Sequence, residues 1–392
     1  MTTVALGEVV DFHSGGTPSK ANPDFWRGDV PWFSAKDIKQ ARLTDSADHI
    51  SQSVFDSTSI RKIPAGTVTM VVRGMILAHT VPIAILDVES AINQDLKALI
   101  PRREIDPRFL AAMLRAQHDV ILAQVSTAAH GTKKLDARVL ESIRIPLPPL
   151  DEQRRIAAIL DQADALRAKR RKALAHLDEL PLAIFLEMFG SPDEVVDRVP
   201  FGEVARLSGG RNLVAADAGL QSPYRVLKIS AVTTGHFKPH ESKPLPADYV
   251  PPASHLVRRG DLLMSRANTT ELVGAVALVH DAPGNLALPD KVWKFEWRVP
   301  DSVPAFYHVL FRMPSVRRQI SRLSSGTGGS MKNVSKGKLE TMLIPDVSTA
   351  HQEQFAKRVD CLSSLRAAAQ RAIRAEEELF ASLQFEAFRG NL

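Results

Sequence analysis

The sequence predicts an α+β protein in which two mixed α/β domains are separated by two long antiparallel coiled-coil helices, with a pseudo-two-fold internal repeat. Three observations lead to this prediction. A central segment, residues 151–190, has the seven-residue apolar spacing of a coiled coil. A second segment of the same design, residues 351–390, closes the sequence. Short motifs of the first half recur about 195 residues later, as Gly7 and Gly202 show.

The first coiled-coil segment has recognisable ends. Asp151 and Glu152 suit a helix start because acidic side chains are favoured near the positive end of the helix dipole. Gly190 indicates the stop, and Pro181 predicts that the main helix ends or kinks at Leu180. The apolar series are Ile156, Ala163, Leu177 and Ile184, with Arg170 between, and Ile159, Leu166, Ala173 and Leu180.

The C-terminal segment repeats this pattern. One helix cannot bury its own apolar stripe, so we expect the two segments to pair with each other. The apolar series of the second segment are Phe355, Leu362, Ala369 and Leu383, and Val359, Ile373, Phe380 and Ala387.

The internal repeat sets the predicted domain order as domain, helix, domain, helix. The recurring motifs are Leu6–Val9 with Phe201–Val204, Ser14–Gly16 with Ser208–Gly210, Gly66 with Gly260, and Leu140–Glu141 with Leu339–Glu340. The predicted boundaries are 1–150 and 191–349 for the two domains, and 151–190 and 350–392 for the two helices.

Each predicted domain begins with short strands and continues with a helix. Alternating or continuous apolar runs indicate the strands, and longer runs of helical period indicate the helices. The strands are expected at Val68–Val72 and Ile83–Val88, with counterparts at Leu262–Ser265 and Val273–Val279, and the helices near Arg108–Gln124 and Ala305–Leu323.

A glycine-bearing loop with lysine follows the helix in each half, at Gly131–Lys134 and at Gly326–Asn333. Such loops can present backbone N–H groups and lysines to an anion. An ordinary connecting loop is the alternative for either one alone. Recurrence at the same place in both halves favours phosphate contact.

The composition indicates a soluble globular protein. Lys and Arg number 50 against 44 Asp and Glu, which gives a formal charge of +6 and suits a polyanionic partner without proving one. Cys361 is the single cysteine, so the sequence offers no intramolecular disulfide and no cysteine metal site. The N-terminal residues show no signal-peptide pattern, and we expect a cytoplasmic location.

Several blocks resemble one protein family. Gly15–Ser19, Asn22–Trp32 and Ser34–Asp37 resemble the opening of a target-recognition domain in the specificity (S) subunits of Type I restriction-modification systems. Ile92–Pro101 and Ile145–Gln153 are similar to later blocks of that domain, and Ser265–Gly274 with Leu288–Lys291 resemble it in the second half. The resemblance extends over essentially the whole sequence. Its weaker segments are Val72–Ile76 and Pro345–Ser348.

This resemblance implies a non-catalytic DNA-binding subunit. Each target-recognition domain would read one half of a bipartite double-stranded DNA target, while the helices set the spacing and dock two methyltransferase subunits. Those partners would methylate adenine with S-adenosylmethionine, so this chain would need no cofactor of its own. In complete systems an ATP-dependent restriction subunit would also bind.

Two alternatives come from other functional classes. The first is a free-standing DNA methyltransferase or nuclease. Asn22–Phe25 is a poor match to the methyltransferase Asn-Pro-Pro-Phe/Tyr loop, no cofactor-binding glycine turn follows a strand, and Glu241–Lys243 lacks the Pro-Asp pair of a metal-dependent nuclease. The second is a scaffold that does not bind DNA, which would leave the repeated lysine loops unexplained.

Candidate DNA-binding residues follow from the motif positions and from the ability of basic and amide side chains to contact phosphates and base edges. No catalytic residue and no metal ligand is predicted. Arg73 could instead brace an acid in its own domain, and Trp26 and Trp32 are expected to pack rather than to stack on bases. The candidates are Lys36, Arg73, Lys133 and Lys134 in the first half, and Lys228, Arg266, Asn268, Lys332 and Asn333 in the second.

Overall fold

The computed structural model describes residues 3–102, 104–128, 131–211, 222–326 and 331–389. The chain divides into two units: Met1–Arg171 with Arg371–Leu392, and Lys172–Gln370. We call them unit 1 and unit 2. Each unit contains one globular half together with parts of both long helices, because a long helix follows each half and contributes to both units.

Unit 1 is an α/β half with twelve described strands. The strands are β1 (Thr3–Ala5), β2 (Val10–Ser14), β3 (Val30–Phe33), β4 (Arg42–Leu43), β5 (Asp48–Ile50), β6 (Thr67–Val71), β7 (Ile83–Leu86), β8 (Ala91–Ile92), β9 (Leu96–Pro101), β10 (Ser126–Thr127), β11 (Lys133–Lys134) and β12 (Arg144–Pro146). The helices are α1 (Leu6–Val9), α2 (Ser53–Ser57), α3 (Pro107–Ala116), α4 (His118–Ala123), α5 (Ala137–Ser142) and α6 (Leu150–Phe189), with short 3-10 turns at Pro23–Trp26 and Met75–Ala78.

The core of unit 1 lies on a five-stranded sheet of order β2-β9-β6-β7-β4. The strand β6 is buried along its whole length, which fits its continuous run of apolar and threonine residues. Helix α3 packs against β6 and β7. A second sheet, β5-β3-β8, carries a small apolar cluster in which the Trp26 and Trp32 rings meet edge to face at 5.1 Å. The predicted packing role of these two tryptophans is confirmed.

Unit 2 repeats this design. Its strands are β13 (Arg198–Pro200), β14 (Ala205–Gly209), β15 (Arg225–Leu227), β16 (Ser242–Pro244), β17 (Leu262–Ser265), β18 (Ala267–Asn268), β19 (Val276–Leu278), β20 (Leu286–Ala287), β21 (Val292–Trp297), β22 (Lys332–Asn333) and β23 (Leu343–Pro345). Its helices are α7 (Phe201–Val204), α8 (Pro304–Leu310), α9 (Pro314–Leu323), α10 (Lys336–Glu340) and α11 (Thr349–Arg389), with 3-10 turns at Ile229–Ala231 and Ala253–His255.

The two halves share their sheet topology except for β4, which has no counterpart among the described strands of unit 2, and this confirms the repeat. The sheets of unit 2 have the orders β14-β21-β17-β19 and β16-β15-β20, and β15 pairs parallel with β20 as β3 does with β8. Both halves also begin alike, since a Cβ on Gly7 would touch Glu141 and one on Gly202 would touch Glu340. The predicted α+β class is therefore confirmed.

The repeat register of the glycine pair differs by one residue from the motif match. A Cβ on Gly15 would lie 1.9 Å from the Ile92 carbonyl oxygen, and one on Gly210 would lie 1.7 Å from that of Leu288. Gly15 therefore corresponds to Gly210, with the same 195-residue shift as Gly7 and Gly202. The matched Ser-Gly-Gly letters hid this, because only one glycine of each pair needs the close backbone approach.

The single helix predicted in each half is wrong, because each consists of two. Pro314 begins α9 and has no N–H for a continuing helix, which separates it from α8. In the first half, α3 ends at Ala116. A second helix, α4, begins at His118. The His118 ring forms hydrogen bonds outside the helix, with Thr80 Oγ1 at 3.0 Å and with the Val81 N–H at 3.2 Å.

The long helices α6 and α11 pair antiparallel within each unit. In unit 1 the Arg167 guanidinium lies 4.3 Å from the Phe380 ring centroid, and Arg170 bonds Glu376 at 2.9 Å. In unit 2, Asp178 pairs with Arg366, and Glu187 pairs with Arg358 at 3.0 Å. Higher residue numbers on one helix thus meet lower numbers on the other. Among the described residues, no helix has both the length and the apolar content needed to cross a membrane.

Two details of the helix prediction are wrong. A helix end at Leu180 is wrong, because the first helix continues over 40 residues from Leu150 to Phe189; a kink at Pro181 stays a prediction. The seam of this helix uses Leu160 rather than Ile159, since Leu160 is 2% exposed whereas Leu166, of the Ile159 series, is 45% exposed. The heptad series that starts at Leu160 continues with Arg167, and this charged residue conceals the series in the sequence. Arg167 fits the seam because its guanidinium stacks on the Phe380 ring.

A buried glutamine fastens the start of each long helix to its own globular half. Gln153 Oε1 accepts from the Asp106 N–H at 2.9 Å, and its Nε2 donates to the Pro148 carbonyl at 2.9 Å. Gln352 makes the same two bonds, from the Val303 N–H at 3.1 Å and to the Val347 carbonyl at 2.7 Å. The two halves therefore use one device to fix the helix exit.

Candidate nucleic-acid interface

The first half brings three predicted residues together on a small ribbon. Strand β10 pairs antiparallel with β11, so that Thr127 lies opposite Lys133. Arg73 forms a backbone bridge with Lys134, and the Gly74 N–H donates to the Lys133 carbonyl at 3.0 Å. Arg73, Lys133 and Lys134 thus lie side by side on two adjacent backbone segments. We call them the first basic ribbon.

Side-chain contacts differ among these three residues. Lys134 Nζ pairs with Asp136 at 2.7 Å, and this lysine holds the pKa of Asp136 below its ordinary value. Lys133 Nζ donates to the neutral hydroxyl of Thr127 at 2.8 Å. Within the described part of the chain, Arg73 is exposed and has no ion-pair partner, so the alternative of an arginine bracing an internal acid has no support there. Two charges of the ribbon are therefore available to an external anion.

The second half builds the same ribbon from different side chains. Strand β18 pairs with β22, which places Ala267 opposite Asn333 and Asn268 opposite Lys332. The Val334 N–H donates to the Arg266 carbonyl at 3.1 Å, as the Leu135 N–H does to that of Val72. By this correspondence Lys332 takes the place of Lys133, and Asn333 that of Lys134. We call Arg266, Asn268, Lys332 and Asn333 the second basic ribbon; loop residues 327–330 lie outside the described residues.

A cleft of about 480 Å³ opens beside the second basic ribbon. Arg266, Asn333 and Lys336 line it, with the Lys336 ammonium 5.7 Å from the Trp293 ring centroid. The close backbone approach at Gly210 forms part of its wall. Lys336 was not predicted; its only sequence signal is the position directly after Ser335, whose side chain caps α10.

A second cleft of about 420 Å³ shares Asp290 with the first. Predicted residue Lys228 lines it, and Lys228 Nζ lies 3.5 Å from Glu241. Further basic residues in this wall escaped prediction because they belong to separate strands and loops: Arg211, Lys243 and Lys291. Unit 2 therefore concentrates basic and amide side chains around two adjoining clefts.

Among the described residues, no contact links Lys36 or Lys228 to a ribbon. The Lys36 ammonium pairs with Asp48 at 2.8 Å, and this hydrogen bond raises the pKa of Lys36. Both side chains are about half exposed, so the pair contributes little to stability and can open at low cost. Over the described ranges, no group of three or more His, Cys, Asp or Glu residues could hold a metal ion.

Comparison with known proteins finds similarity to one family of DNA specificity domains. Residues 1–176 match the family model of the Type I restriction modification DNA specificity domain. This segment, somewhat less than half of the chain, is therefore similar to the DNA specificity domain of Type I systems. Three curated relatives are specificity subunits of Type I restriction enzymes: EcoR124I/EcoR124II from Escherichia coli, MjaIX from Methanocaldococcus jannaschii and EcoKI from Escherichia coli strain K12.

These relatives match the chain over part of their length. The identities are 36% over 162 residues for EcoR124I/EcoR124II, 25% over 235 for MjaIX and 26% over 273 for EcoKI. The matched segments are 41%, 56% and 64% of this chain. The chain spans 40%, 52% and 58% of the lengths of these three relatives.

Two solved structures share the fold over nearly the whole chain. The S subunit of a Type I system from M. genitalium aligns with a TM-score of 0.56 at 13% identity, over 99% of this chain and 96% of that one. A chain from a study of assembly and conformational transition of the Type I R-M system aligns with a TM-score of 0.59 at 18% identity, over 100% and 98%. At these identities the likeness supports the fold assignment.

Proposed function

We propose that this chain is the DNA-binding specificity subunit of a Type I restriction-modification complex. Each globular half, residues 1–150 and 191–349, reads one half of a bipartite double-stranded target. One observation carries the proposal: the same basic ribbon stands at the same place in both halves, with a lysine conserved in position between them, Lys133 and Lys332. A duplicated basic surface suits a ligand with two separated sites of repeated negative charge.

The two ribbons have a common part and a variable part. Lys133 and Lys332 occupy equivalent positions and suit phosphate contact, which is independent of sequence. The next position differs, with Lys134 in one half and Asn333 in the other, and Arg266 stands where the first half has Val72. Arginine can donate to guanine, and asparagine can pair with adenine. The variable positions would therefore give each half its own sequence preference.

Three candidate lysines form ion pairs within the chain and can still contact DNA. Lys36, Lys134 and Lys228 each have a carboxylate partner in the free chain. Exposed pairs of this kind contribute roughly 0–1 kcal/mol, so exchanging a carboxylate for a phosphate oxygen is affordable on binding. We assign all nine predicted residues to the DNA surface, together with Lys336.

The helices supply the second part of the proposal. Helices 151–190 and 350–392 set the distance between the two bound half-sites and dock two methyltransferase subunits, which methylate adenine with S-adenosylmethionine. Each unit exposes large apolar residues on its helix segments: Leu166 (45%) and Leu379 (59%) in unit 1, and Leu180 (41%) and Leu365 (56%) in unit 2. A contiguous exposed apolar patch is typical of a surface that a further protein covers, and we infer that the two leucines of each unit belong to such a patch.

Docking can be tested by replacing Leu166 and Leu379 together with glutamate. Co-purification of a methyltransferase subunit should fall, because a charge at the centre of an apolar contact is not compensated. Leu343→Glu is the control, since Leu343 is equally exposed at 50% but lies on β23 of the globular half. If the unaltered chain, the double glutamate variant and Leu343→Glu all retain the methyltransferase subunit equally, the docking surface is refuted.

DNA recognition is tested by mapping methylated adenines in cells with and without this chain. A split motif that disappears with the chain supports the proposal. The free-standing enzyme makes a different prediction, namely transfer of labelled methyl groups by the purified chain alone. The scaffold alternative predicts that the chain has no affinity for DNA at any salt concentration.

A further inference from the structure

Unit 2 contains a cavity of about 760 Å³ that the proposed DNA function does not use. It lies among α6, α8 and α11, and apolar side chains such as Leu177, Leu278 and Val309 form much of its wall. This volume lies within the range of small-molecule sites, which combine apolar walls with a few convergent polar groups.

The polar groups of this cavity are mostly cationic or neutral donors. Arg312, Arg366 and Lys357 carry positive charge, against two carboxylates, Asp178 and Asp360. Asp178 is already engaged, because Arg366 Nε donates to its Oδ1 and His236 Nε2 lies 3.2 Å from the same atom. Among the described residues, no carboxylate forms an ion pair with the Arg312 guanidinium, although the charge of Asp178 favours its protonated form.

Arg312 is a half-buried cation of the cavity wall. In the described structure its guanidinium makes one hydrogen bond, from Nη2 to the Asp178 backbone carbonyl at 3.3 Å. Burial lowers the pKa of Arg312, as expected for a cation partly removed from water. A guanidinium has five N–H donors, so most of its donor capacity remains open towards the cavity.

The internal repeat provides a direct comparison. Arg115 occupies the equivalent position in unit 1, because the Asp106 and Val303 N–H groups correspond through their glutamine partners. Arg115 Nη2 donates to two backbone carbonyls, of Ala41 at 3.1 Å and of Ile83 at 3.2 Å. The same half-buried arginine thus has two protein acceptors in one half and one long hydrogen bond in the other.

Three histidines complete the lining: His236, His280 and His308. Burial lowers the pKa of His236 to about 4 and that of His308 to about 3, and it also lowers that of His280. His236 and His308 are neutral at pH 7, and the single N–H of each ring is directed to a protein acceptor: His308 Nε2 donates to the Gly235 carbonyl at 2.9 Å, and His236 Nε2 lies 3.2 Å from Asp178 Oδ1. They add no charge to the cavity wall. In unit 1 the position of His308 is taken by Ala111, which is buried in the apolar core.

We propose that this cavity binds a small organic anion with one carboxylate or phosphate group on an apolar body. The anionic group pairs with Arg312 and completes its hydrogen bonds, while the apolar body contacts the wall near Leu278 and Val309. This assignment is independent of DNA recognition.

Ligand-detected NMR titrations of the full chain provide the test. Benzoate and phenyl phosphate are the anionic probes, and benzamide is the neutral probe of matched shape. We expect saturable binding of at least one anion below about 10 mM, at least tenfold tighter than benzamide. Preference between the two anions identifies the group as carboxylate or phosphate, and either preference supports the site.

Three variants locate the binding. Arg312→Gln should weaken the bound anion by on the order of tenfold or more, since a charge-assisted bond is lost. Arg317→Gln is the matched control, because Arg317 is also half-buried with a single backbone acceptor, Glu271, but does not line the cavity. Ala367→Phe should block the cavity while keeping Arg312.

The assignment is overturned if neither anion binds, if benzamide binds as tightly as benzoate, or if Arg312→Gln and Arg317→Gln have equal affinity within twofold. Unaltered binding to Ala367→Phe would place the probe elsewhere and also overturn it. A melting curve of each variant shows whether the fold is retained, and Ala367→Phe keeps the test decisive if Arg312→Gln fails to fold.

Discussion

Replacing Gln153 with alanine should destabilise unit 1 by about 2–4 kcal/mol. Gln153 is 1% exposed, and its amide satisfies two backbone groups, the Asp106 N–H and the Pro148 carbonyl, each at 2.9 Å. A buried backbone group left without a partner costs about 1–3 kcal/mol, and the truncation removes both partners at once. Total domain stability is typically about 5–15 kcal/mol, so the loss is a large fraction of it.

The assay has to report on each unit separately, because one free energy of unfolding is not defined for a chain with two compact units. Hydrogen exchange followed by mass spectrometry does this through peptides from α3 in unit 1 and α8 in unit 2. Gln153→Ala should speed exchange in α3 by roughly 30-fold to several hundredfold, at 1.4 kcal/mol per tenfold. Gln352→Ala should do the same in α8.

Gln162→Ala is the matched control, since Gln162 lies on the same helix but is exposed. It should change exchange by less than about twofold, because exposed substitutions usually stay within roughly 0.5 kcal/mol. If Gln153→Ala and Gln162→Ala behave alike, the buried amide does not fasten the helix, and the reasoning from its two hydrogen bonds fails.

Three further predictions use other parts of the molecule. Lys133→Ala and Lys332→Ala should each weaken binding to all DNA sequences alike and lower the slope of log affinity against log salt by about one unit, whereas a loss confined to one base pair would show base reading. Seven residues added to both long helices keep the heptad register and lengthen each helix by about 10 Å. Methylation mapping should then find that the unread gap of the target is longer by up to about 3 base pairs, whereas an unchanged gap would contradict the spacing role. Burial lowers the folded-state pKa of His236 to about 4 and that of His308 to about 3, against an ordinary 6.5. The unfolded chain therefore binds more protons below pH 6.5, and unit 2 should lose stability as the pH falls towards 4. Acid melting curves of His308→Gln should show a weaker loss.

The sequence predicts the architecture well because the repeat and the heptads are regular over long stretches. Gly7 and Gly202 mark the same helix–strand start. In the apolar series of α11, Phe355, Phe380 and Ala387 are buried as the pattern indicates, and the other members are half-buried. Local exceptions escape prediction, because tertiary contacts decide them. Arg167 belongs in the seam only because Phe380 offers an aromatic face, which lies more than 200 residues away in the sequence.

The candidate DNA surface shows the same division. Lys133 and Lys332 are predictable, because the glycine loop recurs beside both. Lys336 and Lys291 belong to different elements that meet only through the folding of unit 2, so no spacing in the sequence connects them. Lys36 is the opposite case, since its motif is clear but its structural neighbour is Asp48 rather than the ribbon.

Antiparallel pairing has a consequence for how the halves fold. Unit 1 completes its core with the end of α11, where Phe380 and Ala387 pack with residues of α6 such as Ile156 and Leu160. A chain ending at Gln370 should therefore expose the α6 face in unit 1, although the deletion lies far from that half in sequence. Loss of Phe380 alone should cost about 3–5 kcal/mol. Exchange in α3 should rise while exchange in α8 stays constant, because unit 2 keeps every residue up to Gln370. The reverse result would mean that the end of α11 stabilises the second half and that the seam of unit 1 is closed by other residues.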